Sequence, residues 1–185
     1  MVYELKDCRN GGTAAYKTTV EITENDGTLK FKFVCSNSKY YCPYHTYNSL
    51  HALGDVCEIF IGSDVERKRY YEIELSPENV LMIAKMTYKG VDGEGKPSLD
   101  LEFVEESFIE STVVKTDDGY IAELTFPREK ILTGDGKVYF NAYRIETDGG
   151  EMEKHLFALY PTMRPKFHVP DYYRRLDDAL TGNEN

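Results

Sequence analysis

Apolar and polar residues alternate with a period of two along most of the chain, the spacing that turns one face of a strand inward and the other outward. Thr28–Cys35 places Leu29, Phe31, Phe33 and Cys35 on one face and Lys30 and Lys32 on the other. Asp55–Gly62 sets Cys57, Ile59 and Ile61 against Val56, Glu58 and Phe60, so a carboxylate shares its face with an aromatic ring. That second face does not read as plain solvent surface. Arg69–Leu75 turns Tyr71, Ile73 and Leu75 inward and Tyr70, Glu72 and Glu74 outward. The same alternation predicts strands over 17–24, 80–88, 111–116, 119–126 and 137–146. The turn clusters Asn25-Asp26-Gly27, Ser76-Pro77-Glu78-Asn79, Asp117-Asp118-Gly119 and Thr133-Gly134-Asp135-Gly136 separate them.

Helical spacing is confined to short pieces over 128–132 and 172–180. Short strands in this number predict an all-β fold, an antiparallel β-sandwich, with Phe31, Phe33, Cys57, Ile59, Ile61, Ile73, Leu75, Ala122, Leu124 and Phe140 between the sheets. Gly90–Pro97 reads as an exposed loop, because a strand pattern resumes after it. A single domain is expected over residues 1–185, without internal repeats and with a fraying end at 181–185.

Composition then excludes several functions. Lys and Arg number 22 against 32 Asp and Glu, and the resulting charge of −10 repels a phosphate backbone, so nucleic acid is not an expected partner. Apolar runs such as Val80-Leu81-Met82-Ile83-Ala84 fall far short of the ~20 residues that span a bilayer, so no membrane helix is expected. Charges within Met1–Asp7 occupy the place of a signal peptide's apolar core, which points to a cytoplasmic address as the sequence stands, or to secretion if a leader has been removed. The four cysteines, Cys8, Cys35, Cys42 and Cys57, show no metal-binding or redox spacing. Cys35 and Cys57 fall on inward positions and read as small buried thiols kept reduced. Fifteen Tyr and nine Phe stand beside no Trp, and a ring with a polar tip can line a wet site as readily as it fills a core.

Enzymatic motifs are scarce: no nucleophile elbow, zinc-protease helix, P-loop or dinucleotide turn occurs. His45, His51, His155 and His168 share no ligand spacing. Glu58 with Glu72 or Glu74 could form the carboxylate pair of a glycan hydrolase, or could belong to an ordinary solvated face. The segment Val138–Glu146 carries Asn141 and Tyr143 on one face. A pyranose offers apolar C–H faces to a ring and a rim of hydroxyls to Asn, Glu and Arg, so these residues suit a sugar as well as they suit a sandwich strand.

Four pieces, Gly54–Ile61, Tyr70–Glu74, Phe140–Arg144 and Tyr160-Pro161-Thr162 followed by Phe167-His168-Val169-Pro170, occur in the order found in carbohydrate-binding module family 9. The chain resembles that family and its family-9-like relatives from about residue 15 to residue 176. The resemblance implies a non-catalytic domain, not an enzyme, that holds a mono-, oligo- or polysaccharide end between aromatic rings, as in polysaccharide catabolism. Glu58 matches the family's acidic hydroxyl-binding position and Tyr160 the place of a stacking tryptophan. The other stacking position is Ala52, a departure that Tyr47 or His51 would have to supply from the neighbouring loop. Asn141 and Arg144 match the family's pattern, but alternation puts them on opposite faces unless a bulge intervenes. Structural calcium also occurs in the family, with Asp92, Asp117 and Asp118 as candidate ligands. A related haem-binding fold would call on Met152, Met163, His155 or His168 as axial ligands.

Overall fold

A computed structural model describes residues 1–49, 53–132, 136–150 and 153–183. The strands are β1 (Val2–Glu4), β2 (Lys6–Asp7), β3 (Thr18–Asn25), β4 (Thr28–Ser36), β5 (Val56–Gly62), β6 (Arg69–Leu75) and β7 (Leu81–Val91). They continue as β8 (Pro97–Phe103), β9 (Glu110–Thr116), β10 (Gly119–Pro127), β11 (Tyr139–Glu146), β12 (His155–Ala158) and β13 (Arg174–Arg175), before one helix, α1 (Leu176–Thr181). Two sheets result. The smaller runs β1-β3-β4-β10-β9, and the larger runs β2-β12-β11-β5-β6-β7-β8 with β13 added beside β11. Every pairing is antiparallel, and the architecture is the expected all-β sandwich.

Local chemistry explains the registers. Asp26 and Gly27 both take positive φ, 48° and 73°, which suits the tight hairpin pairing Asn25 with Thr28. At the β9–β10 turn a Cβ on Gly119 would lie 2.0 Å from the Cys35 carbonyl oxygen, so only glycine lets β10 approach β4 there. The ten residues expected between the sheets are all at 0% exposure. Lys30 and Lys32 project from the other side of the smaller sheet, where both reach Glu123 at 2.7 and 3.6 Å.

The strand boundaries expected from alternation hold within a residue or two, except that β7 runs on to Val91 and β8 begins at Pro97. The expected loop thus shrinks to a turn, closed by Asp92 Oδ1 accepting from the backbone N–H of Glu94 and Lys96 at 2.9 and 2.8 Å. The helical piece expected over 128–132 is a 3₁₀ turn at Arg128–Lys130. The one over 172–180 forms only from Leu176, because Arg174 and Arg175 pair with Phe140 and Tyr139.

A second apolar cluster covers the outer face of the larger sheet. Phe60, Tyr70, Met82, Ala84, Met86 and Tyr143 project from it, and Phe167 and Tyr173 close over them from the segment after β12. That face, away from the smaller sheet, carries the acidic residues.

Candidate functional site

Asp55 fixes the entry to β5. Its Oδ2 accepts from the backbone N–H of Tyr41 at 2.8 Å and from the Thr147 hydroxyl at 2.6 Å, tying the long 37–55 connection to the end of β11. Three residues on, Glu58 projects from the outer face, opposite Tyr143 on one side and Glu74 on the other. Glu72 lies one step along β6 from Glu74 on that face, opposite Phe60. One carboxylate oxygen from each of Glu58, Glu72 and Glu74 lies within 4.8 Å of the others.

These acids were expected to point outward, and they do so from the sandwich. They are nonetheless buried, at 2%, 7% and 6% exposure, which removes the solvated-face alternative. Burial pushes the Glu58 carboxyl well above the ordinary carboxylate range; the neighbouring Glu72 charge adds to the rise and Lys154 opposes it. Burial also raises Glu72, to about 7, against a hydrogen bond with Glu74 that lowers it.

Aromatic groups frame the cluster. Phe60 stacks on Tyr70 at 5.4 Å and on His168 at 4.8 Å, and Tyr143 stacks on Phe167 at 4.2 Å. The Tyr70 hydroxyl hydrogen-bonds His168 Nδ1 at 2.8 Å. With Tyr70 as donor the ring proton sits on Nε2, which faces Glu72 Oε1 at 3.8 Å. Burial pulls the His168 pKa down to about 4, so the imidazole is neutral at pH 7 and does not balance the acids. Tyr44 borders the same site from the 37–55 connection; its hydroxyl accepts from the backbone N–H of Leu53 at 2.7 Å and of Gly54.

The remaining sequence-derived candidates lie elsewhere. Asn141 faces outward, but its amide is spent on backbone: Nδ2 donates to the Tyr160 carbonyl at 2.8 Å, and Oδ1 accepts from the N–H groups of Tyr160 and Ala142 at 3.0 and 2.9 Å. Register between β11 and β5 is continuous from Tyr139 to Ile145, so no bulge brings Arg144 to the same face. Arg144 is fully buried on the inner face, donating to Thr18 Oγ1 at 2.8 Å and paired with Glu146. The Tyr160 ring packs edge-on against Phe140 at 5.8 Å, at the rim of the inter-sheet core. The Tyr47 hydroxyl donates to the Val104 carbonyl at 2.8 Å beside the edge of β7. Ala52, His51 and Met152 lie outside the described residues.

Among the loop acids, Asp92 is committed to its own turn, and neither it nor Asp117 or Asp118 joins a group spaced for a metal ion. Among the described residues the group with such spacing is Glu58, Glu72 and Glu74, an all-oxygen set. For haem, Met163 is 53% exposed, His155 lies edge-on against Tyr16, and His168 is held by Phe60 and Tyr70. The sequence brings Glu58, Glu72 and Glu74 together and marks Phe167 and His168 only as a piece of the family pattern, without assigning them or Tyr44 to the site.

The architecture can be compared with solved structures. A candidate carbohydrate-binding protein from Bacteroides uniformis ATCC 8492 superposes with a TM-score of 0.72 at 13% identity, over 95% of this chain and 84% of that one. A family 9 carbohydrate-binding module from Caldicellulosiruptor kristjanssonii in complex with glucose gives a TM-score of 0.60 at 11% identity, over 94% and 82%. This chain has the family 9 fold. The same bacterium's family 9 module in complex with cellotriose agrees, with a TM-score of 0.58 at 12% identity over 95% and 80%. No family model matches the sequence, and no curated protein matches it. On this family 9 fold, Glu58 and its neighbours lie on the broad outer face of the larger sheet, while Tyr160 closes an edge of the core.

Proposed function

We propose that the protein is a non-catalytic carbohydrate-binding domain whose site is the acidic, aromatic-framed outer face of the larger sheet, with Glu58 and Glu72 as the hydroxyl-binding groups. The observation that carries this reading is the set of three buried carboxylates within 4.8 Å of one another, beside a neutral imidazole. Buried carboxylates are costly unless hydrogen-bond donors reach them. The hydroxyl rim of a sugar supplies such donors. The family 9 fold, in which two neighbours hold glucose and cellotriose, supports the same ligand class.

A hydrolase built on Glu58 with Glu72 or Glu74 is disfavoured by placement. The carboxyl pair of a glycosidase faces a scissile bond across an open site. Glu58, Glu72 and Glu74 stand side by side on one sheet face and are buried together instead of facing one another across a cleft. A glycan array, followed by incubation of the best ligand with the protein, tests both readings. Retention of an unaltered sugar is expected; release of shortened sugar would assign the Glu pair to catalysis, and no retained glycan at all would remove the proposal.

A further inference from the structure

The inner faces of β4 and β5 meet at a corner the sugar-binding reading does not use. Cys35 Sγ and Cys57 Sγ lie 3.4 Å apart across the sandwich, at 2% and 0% exposure. Thr18 is the direct strand partner of Cys35, and Arg144 that of Cys57. Arg144 Nη1 donates to Thr18 Oγ1 at 2.8 Å, so a polar contact spans the two sheets immediately beside the two sulfurs and draws them together. The Tyr120 hydroxyl stands 3.8 Å from Cys57 Sγ, and the Arg144 guanidinium lies 5.5 Å from the Tyr120 ring centroid.

We propose that Cys35 and Cys57 are a disulfide-forming pair that links the two sheets when the chain folds in the presence of a small-molecule disulfide. The sulfurs need to approach by only about 1.4 Å to reach bonding distance, a shift that side-chain rotation supplies more cheaply than strand movement. In the reaction one thiolate attacks the small disulfide, forming a mixed disulfide and releasing one thiol. The second thiolate then attacks the protein sulfur of that mixed disulfide, forming the Cys35–Cys57 bond and releasing the second thiol. Two protein thiols are oxidised, one small disulfide is reduced to two thiols, and the two protons pass to those products. Closure favours Cys35 as the attacking group. Burial pushes its thiol up, but the hydrogen bond with Cys57 and the Arg144 charge outweigh this and bring it to about 7, whereas burial holds Cys57 well above the ordinary thiol value.

The other cysteines serve as internal controls. Cys8 is engaged with Thr162 Oγ1 at 3.1 Å, and Cys42 is partly exposed and lies in the 37–55 connection. Trypsin cleavage after Lys32, Lys39 and Arg67 places Cys35 in peptide 33–39 and Cys57 with Cys42 in peptide 40–67. The Cys42→Ser variant therefore makes any link between these two peptides a Cys35–Cys57 link. It should be denatured, reduced, refolded in glutathione and glutathione disulfide, quenched with acid, alkylated and digested without reduction. The joined 33–39 and 40–67 peptides are expected as the main species, with a melting temperature roughly 5–10 °C above the reduced form. Native protein held in the same buffer at a urea concentration below its unfolding midpoint should gain the same link, which keeps the test open if refolding fails. Natively folded protein with both thiols alkylated, or each capped by glutathione, in both experiments would overturn the proposal.

Discussion

Glu58 on β5 and Glu74 on β6 are direct cross-strand partners, and both are buried. Like charges placed directly opposite destabilise a sheet, and Glu72 adds a third carboxylate to the same small volume. This face is therefore strained in the free protein by its own electrostatics, and its neutral form is the comfortable one.

Stability of the ligand-free protein should consequently fall as pH rises through the acids' titration. Glu72 titrates near 7 when folded against about 4.5 when unfolded, and Glu58 is raised as well. Between those values the folded state binds more protons than the unfolded one, so its advantage is complete below about pH 4.5 and is lost by about pH 7. His168, held near 4 when folded against an ordinary imidazole value of about 6.5, works in the opposite sense over this range, so the comparison uses the His168→Gln variant, whose urea unfolding at pH 5 and pH 8 should differ by about 1–3 kcal/mol in favour of pH 5. Equal midpoints would show that the carboxylates titrate as exposed groups do.

Glu74→Gln should raise the melting temperature at pH 8, because it deletes one like charge while keeping the shape and a hydrogen-bonding side chain. A gain of about 1 kcal/mol is expected, measured by thermal unfolding at pH 8, with less gain at pH 5, where burial keeps Glu72 protonated. A loss of stability at pH 8 would mean that Glu74 is held by a stronger partner than its neighbours.

Arg144 offers the opposite case. Arg144→Met leaves Glu146 buried without its cation and Thr18 without its donor, and should cost about 3–5 kcal/mol in chemical denaturation. Glu146, which burial already raises to about 8 despite the Arg144 charge, would then rise further, so the loss should be smaller at pH 5 than at pH 8. A pH-independent loss would assign the effect to packing alone.

Much of the fold was legible because alternation with a period of two marks a half-buried strand directly. The inward set from Phe31 to Phe140 emerged from that pattern alone. The pieces that escaped were too short for any period to show, such as β1, β2, β12 and β13, or began with a proline, as β8 does at the sheet edge. The site was only half legible. Glu58 and Glu72 could be placed on a common outer face, but alternation cannot say what covers that face. The residues that do so, Phe167, His168 and Tyr173, arrive from an irregular segment about a hundred residues away in sequence. Tyr160 shows the converse: the family resemblance marks it as a candidate ring, yet the Asn141 amide holds its backbone so that the ring turns toward Phe140.

Calorimetric titration of the best array sugar into wild type, Glu58→Gln and Tyr160→Ala at pH 8 tests the placement of the site most directly. Glu58→Gln should weaken binding at least about tenfold, since a carboxylate accepts stronger bonds from hydroxyls than an amide does. Tyr160→Ala should melt at a lower temperature but bind with nearly wild-type affinity in its folded fraction. The reverse outcome, unchanged affinity in Glu58→Gln and a tenfold or greater loss in a stably folded Tyr160→Ala, would move the site from the outer face of the larger sheet to the rim beside Phe140.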